Sequence, residues 1–258
     1  KCCLSLYFPD NFPGEGARGL KPCFDFYFDV LGELIKREKR ELPFDPCRDF
    51  AYLTEEELKK SGIREEYLRF KESYAGIHLY EFMRIAREIT PFDTLGHIAG
   101  VHHVAMSVAR QLEKRDIPVD LALLSAAAIL HDVGKFGCRP GEARRVPYLH
   151  YYYTRQFANR FRLEGIGHIA ANHSTWDLEL ENLSVENLLL IYADFRVKSV
   201  RENHKEKVCF WSLDDAYEVI LGKLDNVDET KRRRYGKVFS KLKDFENYLK
   251  SLGVSVGL

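Results

Sequence analysis

Asp120-Leu121-Ala122-Leu123-Leu124-Ser125-Ala126-Ala127-Ala128-Ile129-Leu130-His131-Asp132-Val133-Gly134-Lys135 is the stretch on which the fold turns. From Leu121 to Leu130 only Ser125 interrupts an apolar run. That is far short of the ~18–20 residues a membrane span needs. It reads as a helix apolar all round, buried on every side. Asp120 has the side chain of an N-cap, and Gly134 and Gly137 mark the end. The buried helix therefore delivers His131-Asp132 into the interior. A buried carboxylate must be paired or must coordinate a metal. Alone, a His-Asp dipeptide would be read as a helix end and no more, so the rest of the chain decides.

One helix upstream stands Gly96-His97-Ile98-Ala99-Gly100-Val101. Val101, Ala105, Val108 and Leu112 repeat at helical spacing and form an apolar seam below His97. Packed on the 121–130 helix, that seam brings His97 beside His131, while the glycines and Ala99 leave room for close helix packing. His102 and His103 lie on the same helix as rivals and are read as supporting or core histidines. Downstream come His150, His173 in Asn172-His173-Ser174, and Asp194 after the apolar run Leu188-Leu189-Leu190-Ile191-Tyr192-Ala193. A second carboxylate in a second buried helix repeats the first problem, and one shared cation answers both. His150 has a rival reading as part of a core element with Tyr151-Tyr152-Tyr153. His168 is read as an ordinary surface or core residue.

The surroundings are those of an ordinary globular chain of 258 residues, with 45% hydrophobic and 30% charged residues. Net charge is zero, which gives no reason to expect nucleic-acid or membrane binding. Six scattered cysteines without a CxxC pattern fit small buried thiols in a reducing, cytoplasmic setting. The chain opens Lys1-Cys2-Cys3-Leu4 with neither an initiator Met nor an apolar leader, as expected of a fragment or a trimmed chain. Gly14-Glu15-Gly16-Ala17-Arg18-Gly19 matches GxGxxG in letters, but no strand precedes it and Pro22 follows, so it is read as a loop.

Elsewhere the periodicity is helical: 23–38, a short helix opened by the capping box Thr54 to Glu57, 64–88, a helix capped by Asp93 or Thr94 and running to about 114, 150–162, 165–173, one from Ser184 to about 201, one from Ser212, and 228–251. No hairpin signal is evident. The fold class is all-α. The division is an N-terminal extension over 1–90, a helical metal-site core over 91–205 and C-terminal helices over 206–258.

The set His97, His131-Asp132 and Asp194 resembles the H…HD…D signature of the HD phosphohydrolase superfamily, and His131-Asp132-Val133-Gly134-Lys135 its HD-x-G-K variant. The resemblance covers about 93–200 and implies an HD-domain helical bundle. His150 and His173 sit where two-metal members carry extra histidines, which implies a dinuclear site. Order and spacing look most similar to the bacterial diadenosine-tetraphosphate hydrolases. The cyclic-di-GMP phosphodiesterase branch expects a paired His and a Gly-Tyr-Pro element, and Asn172-His173-Ser174-Thr175-Trp176-Asp177 stands there instead.

On this reading the metal ligands are His97, His131, Asp132, His150, His173 and Asp194. Asp132 bridges two divalent ions around an activated water and, with Lys135, forms the catalytic pair. A His-rich set suits transition metals; the family favours Fe or Mn, with Ni, Zn and Mg as further candidates. Lys135, Arg144, Arg145, Arg196 and Lys198 are the phosphate-binding candidates, with Arg139 and Arg201 near them. Tyr151 to Tyr153 and Trp176 serve equally as base-stacking or core residues. The expected partner is a small phosphorylated substrate of nucleotide type. The sequence leaves the oligomeric state open. Two other readings remain, an HD-type di-iron oxygenase and an inactive nucleotide-sensing HD module. Lys135 favours hydrolysis over the first, and the unbroken ligand set argues against the second.

Overall fold

The computed structural model describes residues 53–76, 95–137, 145–174, 178, 182–202, 205–223 and 227–257. The expected helix at 23–38, the loop at 14–19, the caps Asp93 and Thr94, Arg139, Arg144, Trp176 and every cysteine except Cys209 lie outside them. Among the described residues the fold is all-α apart from one hairpin. In order it comprises α1 (Glu55–Lys59), α2 (Arg64–Gly76), α3 (Leu95–Glu113), α4 (Leu121–Leu130), a 3-10 turn (Val133–Gly137), α5 (Val146–Arg160), α6 (Glu164–Ala171), α7 (Val185–Arg196), β1 (Val197–Glu202), β2 (Lys205–Phe210), α8 (Leu213–Lys223) and α9 (Glu229–Ser251).

The central helix is α4, as its sequence requires. All its residues but Leu123 are buried, and it packs against α1, α2, α3, α6 and α7. Each fully buried Leu or Ile there contributes about 1.5–3 kcal/mol. The one polar member, Ser125, is matched by His102, whose Nε2 lies 2.9 Å from its hydroxyl. Asp120 caps α4 by accepting from the amides of Ala122 and Leu123. The same carboxylate accepts from Ser61 and Gly62 in the α1–α2 turn, so one side chain sets both the start of α4 and the seat of α1 and α2. Thr54 and Glu57 form the expected capping box. Ser184 caps α7 through the amide of Asn187.

The expectation that the Ser184 helix runs to about 201 is corrected. Helix α7 ends at Arg196, and β1 pairs antiparallel with β2, with Val197 opposite Phe210 and Ser199 opposite Val208. The sequence hid this hairpin because half of each strand is charged and residues 203–204, which join the strands, are not an Asn-Gly pair. Its apolar contribution lands on Gly100. A Cβ there would sit 2.8 Å from Val197 Cγ1 and 2.9 Å from Val208 Cγ1. The room beside Gly100 therefore serves the hairpin.

Along α9, Val238, Leu242 and Leu249 are buried, with Phe239, Phe245 and Leu252 packed against the core. Buried Glu246 on the same face accepts from the Tyr192 hydroxyl at 3.2 Å. Beyond α9 the chain is tied back to α3. The guanidinium of Arg115 donates to the carbonyls of Leu252 and Gly253, and Gln111 exchanges two bonds with Ser255.

Candidate metal centre

Five segments converge at the C-terminal end of α4. His131 and Asp132 follow its last turn, His97 comes from the first turn of α3, His150 from α5, His173 from just beyond α6, and Asp194 from the end of α7. His131, Asp132, His97, His150 and His173 are buried, while the Asp194 side chain remains 24% exposed. The site is thus closed on the helix-core side and reaches solvent past Asp194.

The six residues divide about the two oxygens of Asp132. On the Oδ2 side, His97 Nε2 lies 3.5 Å and His131 Nε2 3.6 Å away. The two nitrogens are 3.4 Å apart, and Asp194 Oδ1 is 3.0 Å from His97 Nε2 and 4.0 Å from His131 Nε2. On the Oδ1 side, His150 Nε2 and His173 Nε2 lie 3.8 and 3.9 Å from the carboxylate and 3.4 Å from each other. Ligand atoms of His97, His131 and Asp194 all lie within 4.8 Å of one another, as do those of His131, Asp132 and His173.

The backbone fixes which ring nitrogens face inward. His131 Nδ1 lies 2.7 Å from the Ala128 carbonyl, His150 Nδ1 2.6 Å from Val146 O, and His173 Nδ1 2.6 Å from Ala170 O. A carbonyl only accepts, so each Nδ1 carries the proton and donates it, leaving a lone pair on Nε2. Burial, followed by the field of Asp132 opposing it, leaves the His150 imidazole at about 4; burial and then the positive field of His131 leave His173 at about 3. Both rings are neutral at pH 7. Their bare nitrogens then face each other with no proton between them, which is unfavourable unless a cation sits there. Two nitrogens 3.4 Å apart, each about 2.1 Å from a common ion, subtend about 108° at it. The residues therefore fit a metal.

Lys135, on the 3-10 turn, places its ammonium on Asp132 Oδ2. Burial pushes the Asp132 carboxyl up, but Lys135 and then the rings of His131, His97 and His150 hold it well below the usual carboxylate range. Asp194 behaves alike: burial raises it, and Lys198, His97 and His131 lower it further than burial raises it. Lys198 donates to the Asp194 carbonyl at 2.6 Å.

The structure brings together His97, His131, Asp132, His150, His173, Asp194, Lys135 and Lys198. It sets Arg196 apart, which corrects its selection as a phosphate-binding residue. That guanidinium is buried and donates to Trp211 O, Tyr192 Oη and Val256 O, so it fastens α7 to the hairpin base and the C-terminal tail. Arg145 is exposed at the start of α5. Tyr153 is buried in the core, whereas the half-buried Tyr151 lays its ring 3.8 Å from that of His150. His103 is exposed against Phe210, contrary to its reading as a supporting or core residue, and His168 is exposed. The three carbonyls that orient the imidazoles carry no signal in the sequence, because any residue supplies one.

His102 is the core histidine of α3. Burial first, then the positive fields of Arg110 and His103, depress it to about 4. The unfolded chain, with its imidazole near 6.5, takes up the proton first as pH falls. Stability present above pH ~6.5 is therefore lost toward pH ~4, by at most about 3 kcal/mol from this group. Urea denaturation of metal-free protein at pH 7.5 and 4.5 checks this. His102→Gln should lose less stability over that window than wild type, and an equal loss would contradict the assignment.

Residues 94–208 match the family model described as HD domain. The matched segment is a little under half of the chain, contains all six candidate ligands, and supports kinship of that segment with the HD-domain superfamily. Searches of curated proteins and of solved structures gave no match. At the coarse level the match points to a metal-dependent hydrolase, and the His/Asp cluster agrees with it. No helix among the described residues is long and apolar enough to cross a membrane.

Proposed function

We propose that this protein is a metal-dependent phosphohydrolase that cleaves a phosphoester or phosphoanhydride of a nucleotide-type substrate. The observation that carries the reading is the division of donors about Asp132: its Oδ2 faces His97 and His131, beside Asp194, and its Oδ1 faces His150 and His173. A carboxylate with an imidazole pair on each of its oxygens is an arrangement that would hold a pair of divalent ions. Fe or Mn is favoured, with Ni, Zn and Mg as further candidates.

Bound ions there supply Lewis acidity toward phosphoryl oxygens and acidify water. The chain's own residues do the rest. Asp132 balances the positive charge between the two halves, and Asp194 closes the first half on its solvent side. Lys135, whose side chain is 24% exposed and whose ammonium rests on Asp132, contributes a cation for an incoming phosphoryl oxygen or the departing group. Lys198 adds charge beside Asp194, and Arg145 lies at the start of the His150 helix. The buried walls of α3, α4 and α7 exclude water from the closed side. Ligand order and spacing, similar to the diadenosine-tetraphosphate hydrolases, make dinucleoside polyphosphates the first substrates to try.

The test is turnover of a panel of phosphomonoesters, phosphodiesters and dinucleoside polyphosphates by Mn- or Fe-loaded protein, run with and without oxygen. Hydrolysis that persists anaerobically supports the reading, and an absolute need for oxygen defeats it. His131→Ala and Asp194→Ala should each abolish turnover and the metal binding of the His97/His131/Asp194 half; full activity in either one would defeat the assignment.

A further inference from the structure

The site has two halves on different elements, and something must hold their spacing. His131 and Asp132 sit on the turn after α4, while His150 sits on α5. Between them lies one buried hydroxyl. Thr154, one turn along α5 from His150, is 1% exposed. Its Oγ1 accepts from the Gly134 amide at 3.1 Å and donates to the His131 carbonyl at 3.2 Å. Both partners come from the turn that follows α4. An amide and a carbonyl left unpaired in this interior would each be costly.

The backbone approach is very close at the same place. A Cβ on Gly134 would lie 1.9 Å from the His150 carbonyl and 2.6 Å from the Thr154 amide. The His131-to-Gly134 turn and the His150-to-Thr154 turn are thus in direct backbone contact, and the Thr154 hydroxyl bonds in both directions across it.

We infer that Thr154 is a positioning residue that fixes the spacing between the His97/His131/Asp194 half and the His150/His173 half of the centre. The inference rests on the metal-centre reading above. It assigns Thr154 no contact with substrate or metal; Thr154 acts through the backbone of His131 and of His150. Valine keeps the shape and removes the hydroxyl. The turn then loses its register against α5, and the half that depends on α5 weakens first.

The experiment is calorimetric titration of the metal-free full chain with Mn2+, alongside wild type, Thr154→Val, Thr154→Ala and Thr154→Ser, with urea stability of each metal-free protein measured in parallel. Wild type should bind in two steps. Val and Ala should weaken the weaker step at least about tenfold and leave the stronger within about threefold. Ser, which keeps the hydroxyl, should match wild type in both steps. A purely stabilising Thr154 would lower urea stability in Val and Ala and leave both affinities alone, and that result overturns the inference. It is overturned too if Ser behaves as Val does, or if both steps fall together. If Val does not fold, Ala and Ser give the same comparison. A wild type that binds no Mn2+ at all would instead defeat the metal-centre reading, so the two failures are told apart.

Discussion

Asp132→Asn is expected to cut phosphoester turnover by at least about 10^3-fold, or about 4 kcal/mol of barrier, and to remove both bound ions. The reason is position. Asp132 presents one oxygen to His97 and His131 and the other to His150 and His173. It is also the buried anion on which the Lys135 ammonium rests. An amide in its place retains the shape but loses the charge that offsets two cations among four imidazoles. His150→Ala removes a ligand from one side only, so it should leave the tighter ion in place. Metal content by mass spectrometry, measured on the same preparations as turnover, checks the contrast. An Asp132→Asn protein that keeps two ions and full turnover contradicts it.

The second large effect falls on stability. Gly134→Ala should destabilise the protein by about 3 kcal/mol or more and displace His150 from the centre. The added methyl would meet backbone atoms at 1.9, 2.6 and 2.8 Å, all belonging to His150 or Thr154. Backbone within a packed helix yields only by moving the helix, and this one carries a candidate ligand. The comparison that isolates the cause is Gly100→Ala. There the nearest atoms are the methyl ends of Val197 and Val208 at 2.8 and 2.9 Å, which shift at a cost of about 1 kcal/mol. For a chain of this size the Gly134 variant should melt about 6–12 °C lower. Equal melting temperatures for the two variants would contradict the account.

Much of the site was legible because burial of charge is legible. The apolar run Leu121–Leu130 ends in His131-Asp132, and a second run ends in Asp194, so two carboxylates were committed to the interior before any packing was known. The seam of Val101, Ala105, Val108 and Leu112 then placed His97, and all four are buried in the structure. Helix ends were legible where a side chain makes the cap, as with Thr54, Asp120 and Ser184.

What escaped depends on contacts between distant segments. The β1–β2 hairpin carries little signal because half of each strand is charged, and Val197 and Val208, which pack at Gly100, stand apart in the sequence. Arg196 was misjudged because its carbonyl partners, Trp211 and Val256, are invisible as letters. The closeness of Gly134 to His150 had no signal beyond a glycine that also reads as a helix stop.

Anomalous X-ray diffraction from crystals of the full chain loaded with Mn2+ addresses the central claim most directly. The account predicts two peaks flanking the Asp132 carboxylate, one among His97, His131 and Asp194 and the other between His150 and His173. Loaded crystals with no peak at Asp132, or with Mn2+ bound only at other residues, would contradict it.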